Sequence, residues 1–538
     1  MLDLLITNGT VVDGTGREPF HADVGVAADR IALIRPNAQH EAARRIDASG
    51  LTVTPGFIDP HSHSDWSILG NRKAQSTIRQ GVTTEVVGNC GVTYAPLAGD
   101  DHGVAEARAA LRAFGYDGEV GWRSFGDYLD HVHGGQGTAQ NLYWFVGHTA
   151  LRNAAGVRGD TVTAGQAEAM RRLLDEALDA GAAGMSTGLE YGSGREAGTD
   201  ELLDLASVLG RRGARYASHI RNRDARLGES VDEFFRIARG HGLTAQLSHL
   251  NVRSNTGAAP GAWDDAVERL HSERSQGLDV LADMTPYPDG LGMATGILPA
   301  WLLADGPAHA AELLADRQVR TALRADCDRY WRFIHRGEWH RVTLATSPAT
   351  PELEGLSFPE IARRLGRDEW DCYFDILRAA GPNMFGVQLM GRLFDDDHVA
   401  AAIAHPLFCL GVDGYTSRLD GPLAARTRHP LFFRGHLHYL AHHVLRRRTL
   451  TLADAVYKMT GMVAEHFGLA GRGVLAEGAF ADLAVLDTAA LAALDTFAVP
   501  EDYPAGVPHV VVNGQPVVDR GEHTGARAGR HLRPGRTE

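Results

Sequence analysis

Apolar runs alternate with amphipathic segments through most of the chain. Several runs are short, rich in apolar and small residues, and end at a polar residue or glycine, which is typical of buried strands; they are residues 84–88, 183–186, 215–219 and 244–249. Residues 165–180 and 230–240 have the spacing of helices. This alternation predicts a parallel sheet, most simply a closed (β/α)8 barrel. An open doubly wound sheet is the alternative, but no Gly-rich phosphate or dinucleotide loop follows the early strands.

Both ends of the chain have another pattern, of short strands separated by turns. Near the N-terminus Asp13-Gly14 is a turn signal between strand-like runs, and residues 481–486 and 509–514 resume the style near the C-terminus. We therefore expect one small β-sandwich domain built from both termini, residues 1–55 plus 472–538. The barrel would span residues 56–471. Two independent β appendages are the alternative.

One stretch inside the expected barrel breaks its rhythm. Residues 288–342 read as largely helical and carry several Trp and Arg residues. We interpret them as an inserted lid subdomain over the barrel mouth. The Gly/Arg-rich tail, residues 523–538, predicts a loosely ordered end.

Composition narrows the class of protein. A chain of 538 residues is long enough for two or more domains. Its formal net charge of -14 disfavours nucleic acid and anionic membranes as partners, although Arg446, Arg447 and Arg448 form a short basic run. Four cysteines are too few for a disulfide framework, and the first residues contain neither a signal-peptide pattern nor a membrane span. We predict a cytoplasmic protein, with a homodimer compatible with this size.

Six potential metal ligands lie at the ends of predicted strands. His61 and His63 form a His-x-His pair whose side chains project to the same side of a strand. The others follow apolar runs in the same way; they are Cys90, His219, His249 and Asp413. Each one alone is weak evidence, but barrel enzymes place their chemistry at the carboxyl ends of their strands. Histidine, cysteine and carboxylate together favour zinc over magnesium or calcium, with one or two ions.

Further motifs extend along nearly the whole chain, from about residue 3 to residue 520; they are residues 56–65, 80–84, 87–91, Gly147-His148, 186–189 with Tyr191, 219–221, Asp283 with Pro286-Tyr287, His429-Pro430, 472–478 and Ala481-Asp482. Together these motifs resemble one family, the N-acyl-D-amino-acid deacylases (D-aminoacylases) of the amidohydrolase superfamily. The resemblance implies a (β/α)8 barrel with a small β domain from both termini.

The resemblance also implies roles for the six residues. Cys90, His219 and His249 would hold a tightly bound zinc, with Cys90 able to bridge to a weaker second site framed by His61 and His63. Asp413 would be the general base and acid, taking a proton from the attacking water and returning it to the leaving nitrogen.

Three departures from the family pattern concern the substrate. Asn251, Thr285 and Leu431 stand where the family has a lysine, a tyrosine and an arginine that are associated with the substrate's free carboxylate. Arg253 or Arg434 could compensate. Glu190 is also unusual. It would be a surface or salt-bridged glutamate, or it would serve a cationic or hydroxyl-rich substrate group or the metal shell. The expected substrate-binding residues are Glu190, Tyr191, Asn251, Thr285, Tyr287, Leu431 and His148.

The predicted function is therefore hydrolysis of an amide bond in a specialised small molecule that lacks the usual free carboxylate. Ring opening of a cyclic amide or imide, as in hydantoinase-like relatives, is an alternative, although those relatives use a carboxylated lysine bridge where this chain has a cysteine. A non-catalytic barrel kept as a binding subunit is the third possibility, and the complete ligand set argues against it.

Overall fold

The computed structural model describes residues 1–99, 101–303, 305–326, 331–427 and 429–535. Its strands are β1 (Leu2–Val11), β2 (Phe20–Ala27), β3 (Arg30–Arg35), β4 (Ala42–Asp47), β5 (Thr52–Pro55), β6 (Phe57–Asp59), β7 (Val82–Val87), β8 (Asn141–Gly147), β9 (Gly184–Gly188), β10 (Arg215–His219), β11 (Ala245–Leu247), β12 (Val280–Met284), β13 (Asp289–Met293), β14 (Val342–Thr346), β15 (Gln388–Arg392), β16 (Phe408–Leu410), β17 (Leu483–Leu486), β18 (His509–Val512), β19 (Gln515–Asp519), β20 (Glu522–His523) and β21 (His531–Leu532).

The α-helices, which lie mainly between barrel strands and in the insertion, are α1 (Gln75–Ile78), α2 (Asp101–Ala113), α3 (Phe125–His133), α4 (His148–Ala154), α5 (Ala164–Ala180), α6 (Thr199–Arg212), α7 (Leu227–Gly240), α8 (Ala262–Ser275), α9 (Ala300–Leu303), α10 (Pro307–Leu313), α11 (Arg317–Ala325), α12 (Phe358–Leu365), α13 (Glu369–Ala380), α14 (Asp396–Ala404), α15 (Gly421–Arg426), α16 (Leu431–His438), α17 (Leu452–Met459), α18 (Gly461–Phe467) and α19 (Thr488–Ala493). Local sequence sets their limits: α5 begins with a Thr163/Gln166 capping box and ends at Gly181 in the left-handed conformation.

Eight parallel strands form the predicted barrel, in the order β16-β12-β11-β10-β9-β8-β7-β6. The strands β7, β8, β9 and β12 are buried at every position, as expected for strands covered by helices outside and side chains inside. The (β/α)8 prediction is therefore confirmed, and the open doubly wound alternative is wrong.

The barrel closes between β6 and β16 through very few hydrogen bonds. Ser62 and Gly414 form an isolated parallel bridge beyond the ends of these strands. The backbone N–H of Asp413 donates to the His61 carbonyl at 2.9 Å, and that of His63 donates to the Gly414 carbonyl at 2.7 Å. The closure of the barrel thus runs through three of the six candidate ligands.

The two ends of the chain meet in one nine-stranded sheet, as the sequence predicts. Its order is β20-β19-β18-β17-β5-β1-β2-β3, and β4 pairs with β1. The central contact joins β5 to β17, with Val53 opposite Val485. Independent appendages are thereby excluded, and the strands form one continuous hydrogen-bonded path rather than two separate sheets.

The segment expected to be a helical lid contains strands as well as helices. The helices α9, α10 and α11 lie within it, but β13 and the start of β14 also do, and both pair with β15 in a three-stranded antiparallel sheet. Because β15 comes after α13, this unit extends beyond residue 342. Pairing between segments far apart in sequence is what the local pattern could not reveal.

The C-terminal tail is more ordered than its composition predicts. The strand β21 pairs with β8, and Leu532, whose residue surface is 6% exposed, lies in an apolar cluster with Tyr143 and Phe145. The expectation of a loosely ordered end is wrong for the tail up to residue 535. Within the part of the chain that the structure describes, no helix is both long and apolar enough to cross a bilayer.

Candidate metal centre

The six predicted ligands converge at the carboxyl ends of the barrel strands. His61 and His63 follow β6, Cys90 follows β7, and His219 is the last residue of β10. His249 follows β11 and Asp413 follows β16. Parallel strands all end at one rim of the barrel, so residues distant in sequence become neighbours there.

Two groups of potential ligands overlap at Cys90. His61, His63, Cys90 and Asp413 form the first group, and Cys90, His219 and His249 form the second; in each, the ligand atoms lie within 4.8 Å of one another. The Cys90 sulfur is 3.2 Å from Nε2 of His61 and 3.7 Å from Nε2 of His249. One thiolate therefore stands between two sets of imidazoles, where a bridging ligand would stand.

Asp413 faces the same space from the β16 side of the junction between β6 and β16. Its Oδ1 accepts from Nε2 of His63 at 3.0 Å and lies 3.4 Å from Nε2 of His61. Its Oδ2 is 3.9 Å from Nε2 of His249. The Asp413 side chain is 32% exposed while the His61 side chain is fully buried, so the carboxylate is the open side of the cluster.

Three of these residues have left-handed backbones, with φ of 53° at Cys90, 36° at His249 and 56° at Asp413. Positive φ is uncommon for residues other than glycine, and such strained conformations cluster at functional sites. Each of the three lies just after its strand, and each contributes an atom to the ligand groups. The sequence contains no signal for this.

A buried carboxylate behind the cluster orients two of its members. Oδ1 of Asp283 accepts from Nδ1 of His61 at 3.1 Å and from the backbone N–H of His249 at 2.9 Å. Gln246 donates to Oδ2 at 2.6 Å. Metal-ligating histidines usually donate their other ring N–H to such a carboxylate. A Cβ at Gly411 would lie 2.6 Å from Asp283 Oδ1, so this position requires glycine.

The cluster favours the ionised forms of its cysteine and its carboxylate, which are the forms that bind a metal ion. Burial opposes ionisation of the Cys90 thiol, but the charge of His61 and the hydrogen bonds of the histidines hold its pKa well below the usual range. Burial likewise opposes ionisation of Asp413, yet His61 and His63 lower its pKa to about 2. Thiolate, carboxylate and imidazole are the donors that zinc takes, so the residues present fit zinc.

Glu190 contacts the second ligand group through His219. Its Oε2 accepts from Nε2 of His219 at 2.8 Å, and its Oε1 accepts from Nη2 of Arg253 at 2.6 Å. Because a carboxylate only accepts, Nε2 of His219 carries the proton in this contact. Glu190 is thus a salt-bridged glutamate, one of its expected interpretations, and its hydrogen bond to His219 also puts it where a metal-shell carboxylate would lie.

Glu190 belongs to a buried network of four charges. Arg253 also pairs with Asp224 at 3.2 Å, and Arg223 lies 3.5 Å from Glu190. Arg223 also contacts the cluster itself, because its Nη1 is 3.0 Å from Nδ1 of His249 and 3.4 Å from Oδ1 of Asn251. All four charged groups are buried, and their formal charges cancel.

The remaining predicted residues divide between the rim and the scaffold. Tyr191 donates to the Cys90 carbonyl at 3.3 Å, and its ring contacts that of His219. His148 is instead paired with Glu201 at 2.7 Å, and the Tyr287 hydroxyl donates to the Thr496 carbonyl at 2.6 Å. Neither of these two polar groups is directed at the ligand cluster.

Thr285 and Leu431 are both buried, and the Leu431 side chain lies against Gly414 beside Asp413. Arg434 donates to the Ala498 carbonyl and to Asp502. The two arginines expected to compensate for the lost carboxylate contacts, Arg253 and Arg434, are thus already engaged with other acceptors. Sequence reasoning missed Arg223 and Asp224 as site residues, although they lie two and three residues after the His219-Ile220-Arg221 motif.

Comparison with known proteins agrees with this geometry. The family model described as "Amidohydrolase family" matches residues 44–518 of this chain. The chain belongs to the amidohydrolase family. A D-aminoacylase and an N-acyl-D-glutamate deacylase, both from Alcaligenes xylosoxydans xylosoxydans, are each 34% identical, over 98% and 95% of this chain and 97% and 93% of their own lengths.

Solved structures of amidohydrolases are similar as well. A D-aminoacylase structure has a TM-score of 0.80 at 31% identity, covering 99% of this chain and 100% of its own. The N-acyl-D-glutamate deacylase of Bordetella bronchiseptica, complexed with zinc and a phosphonate mimic of the tetrahedral intermediate, has the same TM-score and identity and covers 99% of each chain. This chain is thus a metal-dependent amidohydrolase acting on non-peptide C–N bonds and similar to these deacylases.

Proposed function

We propose that this protein uses zinc to hydrolyse a linear amide in an N-acylated small molecule that carries no free carboxylate next to the scissile bond. The observation that carries the proposal is the overlap of two ligand groups at Cys90, with Asp413 on the open side and a charge-balanced network behind. The two ligand groups and Asp413 suit amide hydrolysis. The charge-balanced network bears on the choice of substrate.

The proposed tight site consists of Cys90, His219 and His249, and the proposed weaker site consists of His61 and His63 with Cys90 shared. When bound, zinc polarises an amide carbonyl and lowers the pKa of water from 15.7 to about 7. Asp283 and Glu190 each accept from one ligand histidine and so hold His61 and His219 in place. One tight ion with a weaker second one is the occupancy that we propose.

Asp413 is the proposed general base and acid. Its carboxylate is the most exposed member of the cluster and lies within 4 Å of three ring nitrogens, on His61, His63 and His249. From there Oδ1 or Oδ2 takes a proton from the attacking water and returns it to the leaving nitrogen, which turns a poor amide leaving group into a neutral amine.

The proposed substrate preference rests on charge. Asn251, Thr285 and Leu431 provide no cation, and Arg253 pairs with both Glu190 and Asp224. Arg223 is the cation beside the cluster, but the two carboxylates of the same network balance it. The network therefore leaves no unpaired cation to form a charge-assisted contact with a substrate carboxylate.

The cyclic-amide alternative has no observation in its favour. Hydantoinase structures share the fold at 15–16% identity with TM-scores of 0.52–0.53. The shared position between the two ligand groups is a cysteine, and the sequence contains only two lysines, Lys73 and Lys458. Lys458 donates to the carbonyls of Ile403 and His405, away from the barrel rim.

The test compares N-acetyl-D-methionine with its carboxamide analogue on zinc-loaded enzyme. A contact with a charged group is worth about 1.5–3 kcal/mol, so a working carboxylate clamp would favour the free acid by about tenfold or more in kcat/KM. We expect comparable values for the two compounds. A strong preference for the free acid would refute the proposed substrate class, and an Asp413→Asn variant that turns over either compound normally would refute the proposed base.

A further inference from the structure

Three histidines outside the set of six candidate ligands form another cluster. His438 ends α16, and His442 and His443 lie in the π-helix Tyr439–Arg446 that follows it. Their nearest ring nitrogens lie within 4.8 Å of one another, and the cluster shares no residue with the two groups at the barrel rim. The i→i+5 bonding of a π-helix brings residues four and five apart onto one side, and such helices are frequent at functional sites.

Two of these histidines have a buried ring nitrogen without a hydrogen-bond partner in the described chain, Nε2 of His438 and Nδ1 of His443. Both residues are at least 98% buried, at 0% and 2% exposed. An unpartnered polar atom at such depth costs free energy unless something binds it. His442 is only half-buried, so the cluster has an open side toward solvent.

The other nitrogen of each buried ring is already held in the way that metal ligands are held. Nε2 of His443 donates to the Pro286 carbonyl at 2.9 Å, which leaves Nδ1 as a free base. Nδ1 of His438 lies 2.7 Å from Oγ1 of Thr496, and that oxygen also accepts from Arg446. Histidine ligands usually donate their second ring N–H to a carboxylate, a backbone carbonyl or water, and the Pro286 carbonyl is such an acceptor.

The surroundings keep these imidazoles neutral and in place. Burial, and then the neighbouring histidines and Arg446, hold the pKa of His438 below its usual range. Burial lowers the pKa of His443 to about 4. Tyr287 stacks on His438 with ring centroids 3.9 Å apart, and Phe497 covers His438 and His442 edge-on.

We propose that His438, His442 and His443 form a metal site separate from the barrel centre, for a divalent late transition cation of the zinc type. Imidazole suits zinc, copper and nickel, whereas magnesium and calcium take oxygen ligands. The ion would join the π-helix to the loop of Tyr287 and to the segment of Thr496 and Phe497, because these already hold the ligand histidines.

The test uses untagged protein loaded with zinc, dialysed against micromolar free zinc, with zinc per chain measured by elemental analysis. His438→Asn and His443→Gln each keep an amide N–H where the ring donates and remove the unpartnered nitrogen. Wild type is expected to hold one zinc more per chain than either variant, at equal activity per barrel zinc. His309→Gln, at an exposed histidine elsewhere, should bind as wild type does.

Equal zinc content in wild type and both variants would overturn the proposal. Should a buried substitution prevent folding, His442→Gln decides, because its side chain is half-buried and its loss leaves both buried hydrogen bonds intact. That variant should also lose the additional zinc, and full retention of it would exclude the site.

Discussion

The backbone N–H of Asp413 donates to the carbonyl oxygen of His61 at 2.9 Å. This hydrogen bond, one of those that close the barrel, therefore also fixes the candidate base relative to a candidate ligand. Catalytic groups act only when their geometry is held closely, and a bond between backbones holds it better than flexible side chains do.

Asp413→Asn should abolish most activity while leaving the tight zinc in place. General acid–base catalysis contributes about 10²–10⁴-fold, so kcat should fall by that factor. The measurement is kcat together with zinc per chain. Asp420→Asn, at an exposed carboxylate elsewhere, serves as the control. A variant with normal kcat would show that another group moves the proton.

Cys90→Ala should empty both metal positions, whereas His63→Ala should affect only the weaker one. The reason is that the Cys90 sulfur belongs to both ligand groups and His63 to one. Elemental analysis of the two variants beside wild type, purified without added metal, checks this. Equal zinc in Cys90→Ala and wild type would mean that the sulfur is not a ligand.

Glu190→Gln should destabilise the protein, because it leaves Arg253 and Arg223 opposite only Asp224. Removing one partner of a buried ion pair costs about 3–5 kcal/mol. Loss of an outer-shell carboxylate also weakens metal binding, by about 10–100-fold. Thermal unfolding and zinc titration measure the two effects.

The double variant Glu190→Gln/Arg253→Gln is the informative partner for that experiment, since it restores charge balance. It should recover part of the stability but not the metal affinity, because Nε2 of His219 still lacks its carboxylate. Recovery of both would assign Glu190 a purely structural role.

Leu532→Ala should lower the free energy of unfolding by about 2 kcal/mol, despite its place in the tail. Leu532 is buried beside Tyr143, near the start of β8. Leu365→Ala, at a residue that is 44% exposed, should have little effect. Chemical denaturation of both variants provides the comparison, and equal stability of the two would mean that the tail does not hold the barrel.

The sequence was sufficient for the barrel, for the β domain from both termini and for the convergence of His61 with Cys90. These features follow from where the strands begin and end, and the pattern of apolar residues along the sequence reveals strand ends. The left-handed backbones of Cys90, His249 and Asp413 were beyond reach, because they depend on how each chain turns over the rim.

The sequence also could not predict which charged residues pair with each other. Arg253 could be predicted to face the site, but not to be engaged by Glu190 and Asp224, since such pairing depends on three loops meeting. For the same reason His148 and Tyr287 were expected at the substrate, whereas their polar groups contact Glu201 and Thr496. The roles of the substrate-binding residues stay predictions.

The sheet that joins β5 to β17 has a consequence for biosynthesis. Thr54 and Ala484 are hydrogen-bonded across 430 residues of sequence. At about 5–20 residues per second, the ribosome needs roughly 20 to 90 seconds between making the two. During that time the N-terminal strands expose an unpaired edge in a crowded cell, so chaperone demand should be highest while the barrel is still being translated.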